Sequence, residues 1–313
     1  MIDYKKIIKK RETRLAILSF LSFIPDRWMV SMQYRLKTGR KLNLKNPQRF
    51  TEKLQWYKLN YRDPLMAKCV DKADAREYVS DCGLSDILIP LIGVYEHVED
   101  IDFDVLPQQF VMKNTLGGGG NSVIIVKNKK ELNWDETKKR LQSWLDVDSH
   151  RKDAGREWPY YSGKQCRIII EAYLEADAEA GGLIDYKFLS FSGKTQYLYV
   201  IADRELGNGA GFGFFDSNFQ RLPYCRTDEL PLKRDIKKPE NFEKMIQVAE
   251  ILSKPFPHAR IDLYNQNGVV YFGEITFFDG SGYMIFQSDE FDYILGPEFE
   301  IPHRKKDFKH TKR

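Results

Sequence analysis

The stretch QFVMKNTLGGGGNSVIIV, residues 109–126, constrains this chain more than any other. Two short apolar runs, FVM and VIIV, flank a lysine, an asparagine and four consecutive glycines. A two-residue hairpin turn needs one or two glycines at most. Four in a row lose much chain entropy on ordering, so a fold that keeps them ordered has a use for bare backbone. Two readings fit the stretch by itself: a flexible hairpin tip, or a loop that brings backbone N–H groups up to a phosphate.

Composition narrows the classes. With 313 residues, 42% hydrophobic and 30% charged, the chain is long enough for two or three cores. Cys69, Cys82, Cys166 and Cys225 lie far apart without a CxxC pair, and the five histidines have no metal-ligand spacing. Zinc and a disulfide framework are not expected, and a reducing, cytoplasmic setting is. The net charge of +4 is uneven: residues 1–14 carry +4 and residues 303–313 carry +5, which leaves residues 15–302 at −5. A basic groove for nucleic acid is therefore not expected. At the front, KKIIKKRETR precedes LAILSFLSFI, ten mostly apolar residues that are too few to cross a bilayer. No small-residue cleavage site follows. Residues 3–24 read as one or two amphipathic helices that either pack on the body or rest on the inner face of an anionic membrane.

The order of patterns is that of an α+β chain. A helical extension over 1–66 leads into a smaller lobe over 67–170, then a larger antiparallel lobe over 171–302, then a basic tail over 303–313. Helical spacing runs through MAKCVDKADAREYVSDCGL to a stop at Gly83, and again over 129–145 and through ENFEKMIQVAEILSK. Strands are expected as a pair around Pro90, as the hairpin of the glycine stretch, and on either side of Ser192-Gly193. A final hairpin turns at Asn267-Gly268.

That last hairpin holds the sharpest chemistry. Its turn places Glu274 roughly opposite Ile261, one step from Asp262, so a bulge or twist would bring both carboxylates to one face. Mg²⁺ takes one or two carboxylates and completes its shell with phosphate oxygens and water. Lys72, Lys113 and Lys187 are candidate cations for a triphosphate; Lys113 and Lys187 sit among residues of strand type. Arg260, two residues before Asp262, shares its strand face. It reads either as a stabiliser of a transferring phosphoryl group or as a structural partner of Asp262. Arg204 is a weaker candidate of the same kind.

In order, DK…AREYV, FVMKN…GGGGN, IIIEAYLE, DYKF, RIDLY and GEITF resemble the ATP-grasp superfamily. NPQRFTEKLQWYKL, GREWPY and YFGEITFFDGSG resemble its TupA-like branch, which is linked to teichuronopeptide and bacterial surface-polysaccharide assembly. The resemblance implies an ATP-grasp fold of two α+β lobes clamping ATP. It assigns Lys72 and Lys113 to the ATP phosphates and Gly117, Gly118, Gly119 and Gly120 to a mobile lid. It sets Glu171, Tyr173 and Leu174 at a hinge facing the nucleoside, and Asp262 and Glu274 on magnesium. Thr276 stands where many members have asparagine, which puts a second magnesium in doubt. The implied reaction is carboxylate–amine ligation through an acyl phosphate, on a uronic-acid sugar or amino acid. A sugar phosphotransferase is the alternative.

Overall fold

A computed structural model of the chain describes residues 11–118, 122–146, 152–175, 182–203 and 209–302. Two antiparallel sheets organise it. The smaller has the order β1-β4-β2-β3, with β1 Leu91–Tyr95, β2 Phe110–Asn114, β3 Val123–Val126 and β4 Ile168–Ala172. The larger comprises β5 Asp185–Phe191, β6 Lys194–Ala202, β7 Gly211–Asp216, β8 Leu230–Pro231, β9 Ala259–Gln266 and β10 Val269–Thr276. Its order is β10-β9-β5-β6-β7-β8, antiparallel except for the short β7–β8 pair.

Each sheet buries one face under a helix. Among the helices are α1 Arg11–Phe20, α2 Asp26–Thr38, α3 Phe50–Asn60, α4 Pro64–Val70, α5 Asp74–Asp81, α6 Trp134–Leu145, α7 Phe242–Ser253 and α8 Asp289–Glu298. Leu141, Trp144 and Leu145 of α6 pack with Phe110, Met112, Ile168 and Ile170 on the smaller sheet. Phe242, Met245, Val248 and Leu252 of α7 pack with Phe188, Leu198 and Ile261 on the larger. Period-2 alternation then turns the intervening residues, Lys187, Tyr199 and Asp262, to the opposite face, toward the smaller sheet. Helices α3 to α5 join the core of the larger sheet through Leu54, Tyr57, Cys69 and Val79.

The hairpins of the glycine stretch, of Ser192-Gly193 and of Asn267-Gly268 form as the sequence predicts. Three local expectations are corrected. The helix expected through Gly83 is two helices, because Asp71 Oδ1 accepts the N–H groups of Ala73 and Asp74 and so starts α5 afresh. The segment around Pro90 holds a single strand, since residues 85–87 form a 3₁₀ turn instead. The helix over 129–145 begins at Trp134, where Asn133 caps it after a 3₁₀ turn at Lys129–Glu131.

Candidate active site

The larger sheet lines up its polar residues in one rung. Glu274 pairs with Asp262, Asp262 with Lys187, and Lys187 with Tyr199, across β10, β9, β5 and β6. The rung borders a cleft of ≈ 840 Å³ whose walls also include Lys72, Lys113, Gly117, Gly118, Glu157 and Ser281. Two hairpin turns set most of this register. Two bulges adjust it: one between Leu189 and Ser190 brings Tyr199 level with Lys187, and one between Phe272 and Glu274 brings Glu274 level with Asp262.

Arg260 ties the rung together from below. Its Nε donates to Asp262 Oδ1 at 2.6 Å, and its Nη2 reaches Asp262 Oδ2 at 2.8 Å, Glu274 Oε1 at 2.9 Å and Thr276 Oγ1 at 2.9 Å. Its Nη1 donates to the Tyr199 hydroxyl at 2.9 Å and to Asp279. Lys187 is ion-paired with Asp262. Arg260, Lys187 and Lys72 thus stand against Asp262, Glu274 and Asp279, a balanced set. Burial raises Glu274, but Lys72, Arg260 and Lys187 outweigh it and hold the carboxyl well below the usual range. Asp279 is likewise lowered against its burial, chiefly by Arg260 and Arg226. At Asp262 burial wins over Arg260 and Lys187, and the carboxyl is raised.

The glycine loop reaches this set through Lys72. Asp71 ends α4 and caps α5, so Lys72 falls in the break between them, and its N–H donates to Thr115 O at 2.9 Å. Its Nζ donates to Gly117 O at 2.6 Å and lies 3.2 Å from Glu274 Oε2. Gly117 has to be glycine: a Cβ there would lie 2.2 Å from Ser122 Cβ, where the two arms of the loop cross. Lys113, on β2, pairs at 2.7 Å with Glu171, which also binds Arg76 at 2.8 Å.

The geometry therefore brings together Lys72, Lys113, Gly117, Gly118, Lys187, Arg260, Asp262, Glu274 and Thr276 around one cleft. Glu171 touches it only through Lys113, and Tyr173 and Leu174, which follow the end of β4, are not among the described residues lining it. Gly119, Gly120 and Arg204 lie outside the described residues. Asp279 and Tyr199 were missed by sequence reasoning. The Ser192-Gly193 turn continued unbroken would set Leu198 opposite Lys187, and a bulge between Leu189 and Ser190 shifts the pairing to Tyr199, which is why the turn alone did not reveal it.

A hard cation suits the donors present. Asp262, Glu274 and Thr276 offer only oxygen, with Thr276 Oγ1 3.2 Å from Glu274 Oε1. Among the described residues no trio of His, Cys or acid side chains forms a closed cage, so part of such an ion's shell would come from a bound ligand and water.

A second constellation meets the same cleft. Lys58 of α3, only 1% exposed, donates to Gly155 O and Ser281 O, both at 2.9 Å. Gln55 donates to Gly282 O at 2.6 Å, and the Ser281 hydroxyl bonds Glu157. Gly280, Ser281 and Gly282 all have positive φ, a conformation held by these contacts. Burial, with Asp153 nearby and against the charge of Lys58, pushes the Glu157 carboxyl up to about 7.

Residues 52–300 match the family described as TupA-like ATPgrasp. Among solved structures, a D-alanine–D-alanine ligase from Bacillus anthracis is 20% identical, over 68% of this chain and 58% of that one, with a TM-score of 0.40. A D-alanine–D-alanine ligase from Helicobacter pylori is 16% identical over 78% and 62%, with a TM-score of 0.41. An N5-carboxyaminoimidazole synthetase from Staphylococcus aureus, complexed with ADP, is 15% identical over 75% and 53%, with a TM-score of 0.37. The chain spans less than two thirds of the length of each. Comparison with curated proteins finds no match.

Proposed function

The chain belongs to the TupA-like ATP-grasp family, and from that premise we propose that it is an ATP- and Mg²⁺-dependent carboxylate–amine ligase. Its substrate in this reading is a uronic-acid sugar or an amino acid used in bacterial surface-polysaccharide assembly. The observation that carries the reading is Lys72, whose Nζ joins the glycine hairpin at Gly117 to the carboxylate of Glu274. One cation at the meeting of the two sheets is where a polyphosphate would bridge them.

Each residue then has a task. Lys72, Lys113 and Lys187 neutralise phosphate oxygens and fix their position, and backbone of the glycine loop covers them. Asp262 and Glu274, with the Thr276 hydroxyl beside them, would hold magnesium, which when bound supplies charge neutralisation at the transferring phosphoryl group. Arg260 is a positioning residue: all its N–H groups are committed to Asp262, Glu274, Thr276, Tyr199 and Asp279, so it aims the carboxylates. The substrate carboxylate attacks the γ-phosphorus and ADP leaves. The amine nitrogen then attacks the acyl phosphate, inorganic phosphate leaves, and the amine gives up a proton. Glu157, at the far wall of the cleft, is the carboxylate placed to accept it.

The test is a product assay with ATP, Mg²⁺ and a panel of uronic acids and amino acids, each with and without amines. Ligation gives ADP, inorganic phosphate and amide in equal amounts. ADP without inorganic phosphate would instead identify a sugar phosphotransferase, and no ATP binding at all would end both readings.

A further inference from the structure

Helix α2 is apolar on two faces. Met29, Val30 and Tyr34 point inward and are 0% exposed. Trp28, Met32 and Leu36 recur every fourth residue and so form one outward stripe, 74%, 40% and 44% exposed. The chain just before α2 carries further exposed apolar side chains, with Phe23 at 74%, Phe20 at 79% and Ile17 at 41% exposed. Phe20 and Phe23 meet edge to face at 6.4 Å. A helix that already buries one apolar face is normally polar on the other. Large apolar groups gathered on one surface mark an interaction site.

The platform is fixed to the body. Tyr34 Oη lies 2.9 Å from Thr51 Oγ1, Gln33 Nε2 donates to Ala154 O at 2.9 Å, and Arg156 Nη2 donates to Leu21 O at 3.1 Å. Its net charge is basic. Arg27 and Arg35 are exposed beside the stripe, while Asp26, the one acid of α2, is neutralised by Lys152 at 3.0 Å and Arg156 at 3.4 Å. The sequence leading into this surface, residues 1–14, carries six Lys or Arg against two acids. A second copy of the chain would set basic rims against each other in a two-fold contact, whereas anionic lipid complements them.

We propose that this face is a docking surface for an anionic lipid bilayer, with Phe20, Phe23, Trp28, Met32 and Leu36 in the headgroup boundary and the basic residues on lipid phosphates. No helix among the described residues is long and apolar enough to cross a membrane, so the contact lies in the plane of the surface. It goes beyond the reading of the cleft and is tested without ATP turnover.

The experiment is co-sedimentation of the full chain with large vesicles of phosphatidylcholine alone and of phosphatidylcholine with phosphatidylglycerol. Binding is expected to the anionic vesicles and to weaken as salt is raised. Phe23→Ser with Trp28→Ser should lower the partition constant by roughly tenfold or more, because two exposed aromatics lose their insertion. Thermal stability and ATP affinity should stay as in the parent. Absence of binding to anionic vesicles overturns the proposal, as does unchanged binding by the double variant. A parent protein that dimerises through this face, becomes monomeric in the double variant and ignores both vesicles also overturns it, and assigns the surface to a second copy.

Discussion

Glu274 stands directly opposite Asp262 because Gly273 bulges out of the β9–β10 ladder. From Val269 to Phe272 the pairing follows the Asn267-Gly268 turn, which continued unbroken would set Glu274 against Ile261 and turn it toward α7. The bulge moves it one step onto the face of Asp262. A Cβ at Gly273 would lie 3.0 Å from Asp262 O and 3.2 Å from the Tyr264 ring. Gly273→Val should cost about 1–3 kcal/mol of stability by crowding this approach. Mg²⁺-dependent turnover should fall by more than the lower stability explains, measured at a temperature where the variant is fully folded.

The two carboxylates should separate stability from turnover. The Asp262 side chain is 3% exposed and paired with Arg260 and Lys187, so Asp262→Asn should destabilise by about 3 kcal/mol in denaturant titration. The Glu274 side chain is 27% exposed but paired with Lys72 and Arg260, so Glu274→Gln should cost less than Asp262→Asn, about 1–2 kcal/mol, and leave the protein folded. Both should lose on the order of 100-fold in Mg²⁺-dependent ATP turnover. Full turnover by Glu274→Gln would remove the metal assignment.

Lys113→Ala should raise the ATP dissociation constant by about tenfold, as expected when one cation no longer holds the phosphates in the ground state. Folding should survive, since Glu171 keeps Arg76 at 2.8 Å. Calorimetric titration with ATP checks both, and an unchanged affinity would take Lys113 out of the phosphate site.

Thr276→Asn should hold or raise turnover, because an amide oxygen is a stronger cation ligand than a hydroxyl and can still accept from Arg260 Nη2. A large drop, read from the Mg²⁺ dependence of ADP release, would mean that the hydroxyl is needed for its fit beside Glu274.

His258 should set an acid limb of stability. It is fully buried among Phe50, Phe191 and Phe299, its Nδ1 3.0 Å from Ser190 O, and burial pushes its pKa down to about 4. A folded value below the unfolded one gives stability that is complete above about pH 6.5 and lost as pH falls through 4, worth about 3 kcal/mol. Asp292 runs the other way: burial raises it to about 6, so its contribution is complete below the ordinary carboxylate range and lost as pH rises through 6. Melting of the parent and His258→Leu at pH 4.5 and 7.5 isolates the histidine. The variant should lose less on acidification, and equal losses would refute the assignment.

What was legible in the sequence depended on turns. Asn267-Gly268 and Ser192-Gly193 fix where the hairpins turn, so Asp262 and Glu274 could be read as lying within one step of each other and Lys187 as lying on a strand, while the bulges that complete both registers could not be read. Asp279 could not, because its place follows from a left-handed turn at Gly280–Gly282 held by Gln55 and Lys58, which are far away in sequence. The break at Asp71 was hidden because a capping aspartate inside a helical pattern looks like a surface acid. The second apolar face of α2 was hidden for a related reason. Periodicity reports that apolar residues recur, and only the fold tells which of two stripes the body covers.

The pairing of the cleft's described lysines and Arg260 has a consequence for what can enter. Lys72, Lys113, Lys187 and Arg260 each already rest on a carboxylate. Such a cleft works as an ion exchanger. A bare dianion, sulfate or inorganic phosphate, would draw off a lysine and leave Glu274 or Asp262 without its counterion. A polyphosphate that arrives with a divalent cation leaves both sides compensated, metal on the carboxylates and lysines on the phosphates. In the proposed reading, preference for a metal–nucleotide complex over free phosphate would follow from these ion pairs alone, before any group that recognises the base is engaged.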